Sequence, residues 1–250
     1  MKEIFDSVLN TFENEDIRKF AVDRLNNASD YFFSVPASSS GKYHPKISLG
    51  EGGLVRHTVA VVRFLNHMLA VESIANQFTS RERDLLRVAA ICHDMCKSGT
   101  QADYEKNNHT KFDHPLMEAN DIRNSKLLPP NEIELIAHCI ESHMGQWNTD
   151  KRNPGIVLPK PQDKYQIIVH LADYLASRKD IEMSFENLPE TKKGQDPDIN
   201  TWILPFGKHK GKTLIQVYKE DPSYITWARD KATTEPLHTY AVQLLQGSGS

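Results

Sequence analysis

Apolar residues recur at a helical period through the first part of the chain: Ile4, Phe5, Val8, Leu9 and Phe12, then Ile17, Phe20, Val22 and Leu25. That i, i+3, i+4 spacing is what a helix burying one face requires. The stretch SVPASSSGKYHPKISLGEGG breaks the pattern with proline, serine and glycine and reads as a loop. The apolar stripe resumes from Leu54 to Ile74 through Val55, Val59, Val62, Leu65 and Leu69. In TSRERDLLRVAAICHD, Thr79 or Ser80 is placed as an N-cap, with Glu82 positioned to close a capping box on Thr79. Further helices are predicted over 114–125, over 130–143, where a proline leads, and over 162–179. Period-2 alternation is almost absent before residue 195, so the first three-quarters of the chain reads as mainly α.

The character changes after the polar stretch LPETKKGQDPDIN. TWILPFGKHKGKTLIQVYKEDPSYITWARDKA holds a short apolar β-like run, a glycine-lysine turn and then helical periodicity. It reads as a separate α+β module of roughly fifty residues, too small to be very stable alone. The chain thus divides into an N-terminal helical segment and loop (1–40), a helical domain (41–190) and a small basic module (196–246). The terminal Gly-Ser-Gly-Ser (247–250) reads as an appended tail.

Composition narrows the function classes. A hydrophobic fraction of 39% and a charged fraction of 25% over 250 residues describe an ordinary globular protein. A net charge of −3 gives no global attraction to nucleic acid, so any such binding needs a local basic patch. No apolar run reaches membrane-spanning length and the N-terminus lacks a secretory pattern, which predicts no membrane association and a cytoplasmic location. Three cysteines without framework spacing suit a reducing compartment. Cys92 and Cys96 read either as a zinc half-site or as small residues packing a helix end, and the lack of a second pair favours packing.

The candidate chemistry lies in a scattered set of imidazoles and carboxylates: His57, the adjacent His93 and Asp94, His114, His138, His143 and Asp173. Such groups are donors for Zn, Mn, Fe or Ni, and a carboxylate beside a histidine can bridge two ions. Placed on separate helices, they form a cage within a bundle. Polar groups on a core face need mutual satisfaction or a metal. Each residue alone also reads as an ordinary core or helix-end group; the order of the set and its local contexts carry the weight.

The order His57, then His93-Asp94, then Asp173 resembles the HD superfamily of metal-dependent phosphohydrolases. PASSSGKYHPKISLGEGGLVRHT, ESHMGQW and IIVHLADYLASR resemble the branch containing HD-domain 3′→5′ exoribonucleases, over about residues 31–180. The resemblance implies an HD-domain helical bundle. It also implies a first divalent ion held by His57, His93, Asp94 and Asp173. Asp94 would bridge to a second ion held by His114 with one or both of His138 and His143. Met144 stands where the branch carries the second histidine of a Ser-His-His-Gly turn, so coordination of a second ion departs from that pattern. One or two ions are expected, drawn from Mn, Fe, Ni, Zn and Mg. Lys97 would contact a phosphate oxygen and His44 would line the substrate mouth; an exposed helix-end lysine and a loop histidine are the alternatives.

In PFGKHKGKTLIQV, Lys208, Lys210 and Lys212 surround Gly207 and Gly211, with Trp202 and Phe206 before and Tyr224 and Trp227 after. Such a turn can present ammoniums to a phosphate backbone, while the aromatics either stack on bases or form the module's small core. The segment is similar, over about 200–231, to the C-terminal module of some DnaQ-like exodeoxyribonucleases. Together these features predict a metal-dependent phosphodiesterase of single-stranded RNA or DNA, an exonuclease. Attack of a metal-bound hydroxide on phosphorus would be assisted by Asp94 and Lys97. The alternatives are an HD hydrolase of small nucleotides (a dNTP or cyclic nucleotide) and a non-catalytic nucleic-acid-binding HD scaffold. No Walker loop, Rossmann fingerprint or nucleophile elbow competes.

Overall fold

A computed structural model describes residues 2–38, 44–107, 109–152, 154–181, 202–204, 207–232 and 237–247. Among them run α1 (Asp6–Leu9), α2 (Glu15–Asn27), α3 (Gly53–Leu69), α4 (Glu72–Ala75), α5 (Ser80–Cys92), α6 (Gln101–Lys106), α7 (His114–Arg123), α8 (Pro130–Ser142), α9 (Lys164–Ala176), α10 (Leu214–Glu220), α11 (Pro222–Lys231) and α12 (Leu237–Gly247). The chain divides into two units, Met1–Leu188 and Pro189–Ser250. The polar stretch 188–200 and Phe206, singled out in the sequence, lie outside the described residues. No described helix is long and apolar enough to cross a membrane.

In the first unit one apolar core runs through the helices. Phe5, Val8, Ile17 and Phe20 from the N-terminal segment share it with Leu54, Val59, Leu86, Ile91, Ile136, Ile140 and Val169. The N-terminal helices therefore contribute to this unit's core. Each large apolar side chain so buried contributes about 1.5–3 kcal/mol. Buried Asp84 fastens the start of α2 to α5: its carboxylate accepts from the backbone N–H groups of Glu13 (2.9 Å) and Asn14 (2.7 Å) and from Arg87 (2.5 Å).

The loop before α3 is locked onto that helix. Gly52 adopts φ 67°, and a Cβ on Gly53 would meet the Ser48 carbonyl oxygen at 2.3 Å, so only glycine admits this approach. Arg56 then donates to the carbonyls of Ile47, Leu49 and Glu51, fixing the loop one residue before His57. The predicted stripe 54–74 is interrupted: α3 ends at Leu69, Val71 is extended, and α4 begins at Glu72. The expected capping box Thr79–Glu82 opens α5, and Asp163 with Gln166 opens α9 in the same way. A further capping box, Thr100–Asp103, starts the short α6, whose QADYEK carries no apolar stripe.

The second unit packs α10, α11 and α12 around Leu204, Leu214, Val217, Ile225, Ala228, Leu237, Tyr240 and Ala241. Among the described residues, its expected β component is one antiparallel bridge, Ile203 to Thr213, flanking the glycine-lysine turn. The three lysines and two glycines leave too little apolar surface there to extend a ladder.

Candidate metal centre

Five helices bring six of the seven predicted donors to one place. His57 lies one turn into α3, His93 and Asp94 follow the last turn of α5, His114 opens α7, His143 caps α8 and Asp173 lies on α9. The side chains of His57, His93, Asp94, His114 and His143 are buried. Their ligand atoms form two groups able to hold an ion: His57, His93 and Asp94, and Asp94, His114 and His143.

Asp94 belongs to both and divides its oxygens between them. Oδ2 lies 3.9 Å from His57 Nε2 and 3.5 Å from His93 Nε2. Oδ1 lies 2.9 Å from His114 Nε2 and 3.7 Å from His143 Nε2. Asp173 stands beside the first group, its Oδ1 3.1 Å from His57 Nε2 and 3.8 Å from His93 Nε2.

The backbone sets the tautomers. His93, His114 and His143 each place Nδ1 against the carbonyl oxygen three residues earlier, Ala90 at 2.9 Å, Lys111 at 2.6 Å and Ile140 at 2.8 Å. A carbonyl can only accept, so each Nδ1 donates and each Nε2 turns its lone pair inward. His57 differs: its Nδ1 is buried without a partner, and its Nε2 lies 3.4 Å from His93 Nε2 and 3.1 Å from Asp173 Oδ1, so an Nε2–H on His57 has an acceptor beside it. Asp94 Oδ1 and His114 Nε2, 2.9 Å apart, are both buried without a hydrogen-bond partner. Leaving such groups unpaired costs about 1–3 kcal/mol each, and a cation between them removes the cost. The donor set, imidazole nitrogens with carboxylate oxygens, fits a divalent transition ion.

Burial opposes charge on His93, but the Asp94 carboxylate beside it raises the imidazole above its usual value, so in the protein alone a proton on His93 answers that carboxylate. Burial alone would raise the Asp94 carboxyl, but Lys97 and His93 beside it hold it well below the usual carboxylate range. Asp173 is likewise held low by His57 and His93 against the effect of burial. Burial and neighbouring His93 push His143 down to about 3, keeping it the neutral imidazole that metal ligation needs.

Other predicted residues separate. Lys97 reaches the centre through Asp94, its Nζ 2.5 Å from Oδ2. His44 packs edge-on against His57 with ring centroids 5.5 Å apart; burial and nearby His57 push it down to about 4, and its Nδ1 is buried without a partner. His138 does not join: its side chain is 55% exposed and pairs with Glu134 at 3.3 Å. It precedes His143 by five residues, which places the two about 140° apart around a helix, so they cannot share a face. In the second unit, Lys208 pairs with Asp221 at 3.1 Å and Lys212 pairs with Glu220, both side chains remaining open to solvent; Lys210 is exposed and makes no ion pair among the described residues. Tyr224 packs edge-on against His209 and beside Trp227.

Two supports escaped the sequence reading. Buried Tyr31 places its hydroxyl 2.7 Å from the Gly99 carbonyl and accepts from the Ser98 N–H at 3.2 Å, bracing the turn that carries Asp94 and Lys97. His170 donates to the His143 carbonyl at 2.7 Å. A tyrosine within an apolar run and a lone helix histidine carry no local signal of either role.

Residues 64–178 match the family described as HD domain, a span that holds His93, Asp94, His114, His143 and Asp173 and begins after His57. Residues 204–231 match the family described as Exodeoxyribonuclease X-like C-terminal. No curated protein and no solved structure matches the chain. Both likenesses cover part of the chain: the first lies within the first unit, where the donors meet, and the second within the second unit.

Proposed function

We propose that the protein is a metal-dependent phosphodiesterase that hydrolyses single-stranded nucleic acid from an end. The observation that carries this reading is the division of one buried carboxylate, Asp94, between two sets of inward-facing imidazoles. A divalent ion bound there would acidify a water and neutralise charge developing on a phosphoryl group. His57, His93 and Asp173 would hold one ion and His114 and His143 a second, with Asp94 common to both. The backbone holds His93, His114 and His143 with Nδ1 on a carbonyl and Nε2 toward the cage, so these three ligands need no reorientation.

Lys97 keeps its side chain at the edge of the cage, where an incoming phosphate would compete with Asp94 for its ammonium. His44, neutral and with an unpartnered Nδ1, is placed to hydrogen-bond the substrate beside His57. Support for a polymer rather than a mononucleotide comes from the exodeoxyribonuclease-like segment and exposed Lys210. The pairing of Lys208 and Lys212 with carboxylates trims that basic patch and favours the second reading, hydrolysis of small nucleotides. A panel of labelled single-stranded RNA and DNA, dNTPs and cyclic nucleotides, run with Mn²⁺ and other divalent ions, separates the two. Shortening of the polymers that Asp94→Ala abolishes supports the first; turnover confined to mononucleotides rejects it.

A further inference from the structure

Beside the cage lies an aromatic group that metal binding does not use. Trp147 and Tyr174 stack with ring centroids 5.9 Å apart and planes 15° apart. The Arg178 guanidinium lies over both, 4.5 Å from the Tyr174 centroid and 5.8 Å from that of Trp147, and its buried Nε makes no hydrogen bond. Trp147 is nevertheless 46% exposed. A tryptophan half in solvent yet backed by a tyrosine and an arginine is a rigid, open π-surface.

This surface is tied to the cage at both ends. Tyr174 follows Asp173 on α9, and Trp147 follows His143 by one short turn. The turn cannot drift from α9: His170 donates to the His143 carbonyl at 2.7 Å, and Gly145, at φ 55°, lies so close to the His170 ring that a Cβ would meet it at 2.1 Å. The ring stack therefore moves with His143 and Asp173.

We infer that Trp147, Tyr174 and Arg178 form a base-binding subsite, in which Trp147 stacks on the base of an unpaired nucleotide and Arg178 faces its phosphate. The inference rests on the phosphodiesterase reading and specifies its substrate: the base must be free of its neighbours to reach Trp147, which a duplex interior does not allow. The bond is with the π-face of the base, so all four bases are accepted.

The test uses the full chain with Asp94→Ala to separate binding from turnover. Binding of a labelled single-stranded oligonucleotide is compared, by anisotropy, with that of the same oligonucleotide carrying abasic residues at its end. The intact binding site prefers the base-bearing strand by about tenfold or more, and adding Trp147→Ala brings that ratio near one. Trp147→Phe, which keeps a smaller ring and guards against misfolding, retains most of the preference. Arg178→Ala lowers the dependence of binding on salt by about one counterion. An unchanged ratio in Trp147→Ala, or an equal loss for both strands, overturns the inference. Failure of the protein with Asp94 intact to cleave either strand rejects the phosphodiesterase reading separately, because the binding ratio is read without turnover.

Discussion

His170 and Gly145 are in direct van der Waals apposition, the glycine backbone lying against the ring whose Nδ1 donates to the His143 carbonyl. A side chain at 145 has no place to go. It would require a left-handed conformation and would collide with His170, and moving the ring aside would break its hydrogen bond. Gly145→Ala is expected to lower stability by about 2–3 kcal/mol in chemical denaturation. It should also weaken binding of Mn²⁺ by calorimetry, since His143 loses its brace. Unchanged metal affinity would show that the turn does not position the ligand.

Asp94→Asn keeps the shape of the side chain and removes its charge. Both groups of imidazoles share this residue, so the substitution is expected to reduce the number of ions bound as well as their affinity. Hydrolysis should fall about a hundredfold to a thousandfold, the scale on which loss of an electrostatic centre acts. Equilibrium dialysis with a divalent ion, followed by a rate measurement, checks both statements. Retention of full metal stoichiometry would contradict the shared-carboxylate arrangement.

Glu118 provides a pH dependence away from the cage. Burial pushes its carboxyl up to about 7, even with Cys96 and Arg24 beside it, and its Oε1 makes no hydrogen bond. Between an ordinary value of 4.5 in the unfolded chain and about 7 in the native one, the native state holds the extra proton. Stability from this group is therefore full below 4.5 and is lost as pH rises to about 7, by on the order of 3 kcal/mol. Glu118→Gln should remove that slope; a denaturation series over this range in both proteins is the check, and parallel curves would contradict it.

Lys210 should outweigh its neighbours in any contact with nucleic acid, because Lys208 and Lys212 must first leave Asp221 and Glu220. Lys210→Ala is expected to reduce the salt slope of oligonucleotide binding by about one, and Lys208→Ala by less. Equal effects from the two substitutions would show that the ion pairs do not hold.

Much of the first unit could be read from spacing. The stripes around Leu54–Leu69 and Leu85–Ile91, the Thr79–Glu82 box and the proline before α8 all correspond to elements with defined ends. α6 was invisible because its start is fixed by a side-chain cap rather than by an apolar face. Of the candidate donors, the adjacent pair His93-Asp94 was legible as a unit at a helix end. The separation of His138 from His143 follows from helical geometry alone, since five residues is not a multiple of a turn. What spacing could not supply is the lateral support. Tyr31 and His170 act by touching backbone carbonyls far away in the chain, at Gly99 and His143, and such acceptors have no sequence signature. Ion pairing of the lysine turn likewise depends on where α10 and α11 bring Glu220 and Asp221.

The cage is built from distant parts of the chain: His57 and His93, whose Nε2 atoms lie 3.4 Å apart, are 36 residues apart in sequence. Closing such loops costs entropy that grows with their length. Apolar docking of α3, α5, α8 and α9, which share one core through Leu54, Val59, Leu86, Ile140 and Val169, offsets that cost. In the unfolded chain Cys92, His93, Asp94 and Cys96 stay close together, but His57, His114, His143 and Asp173 are scattered, so the assembled cage offers an ion more donors. Ions that bind the cage thus select the native state by mass action, and thermal stability becomes a direct gauge of ion concentration.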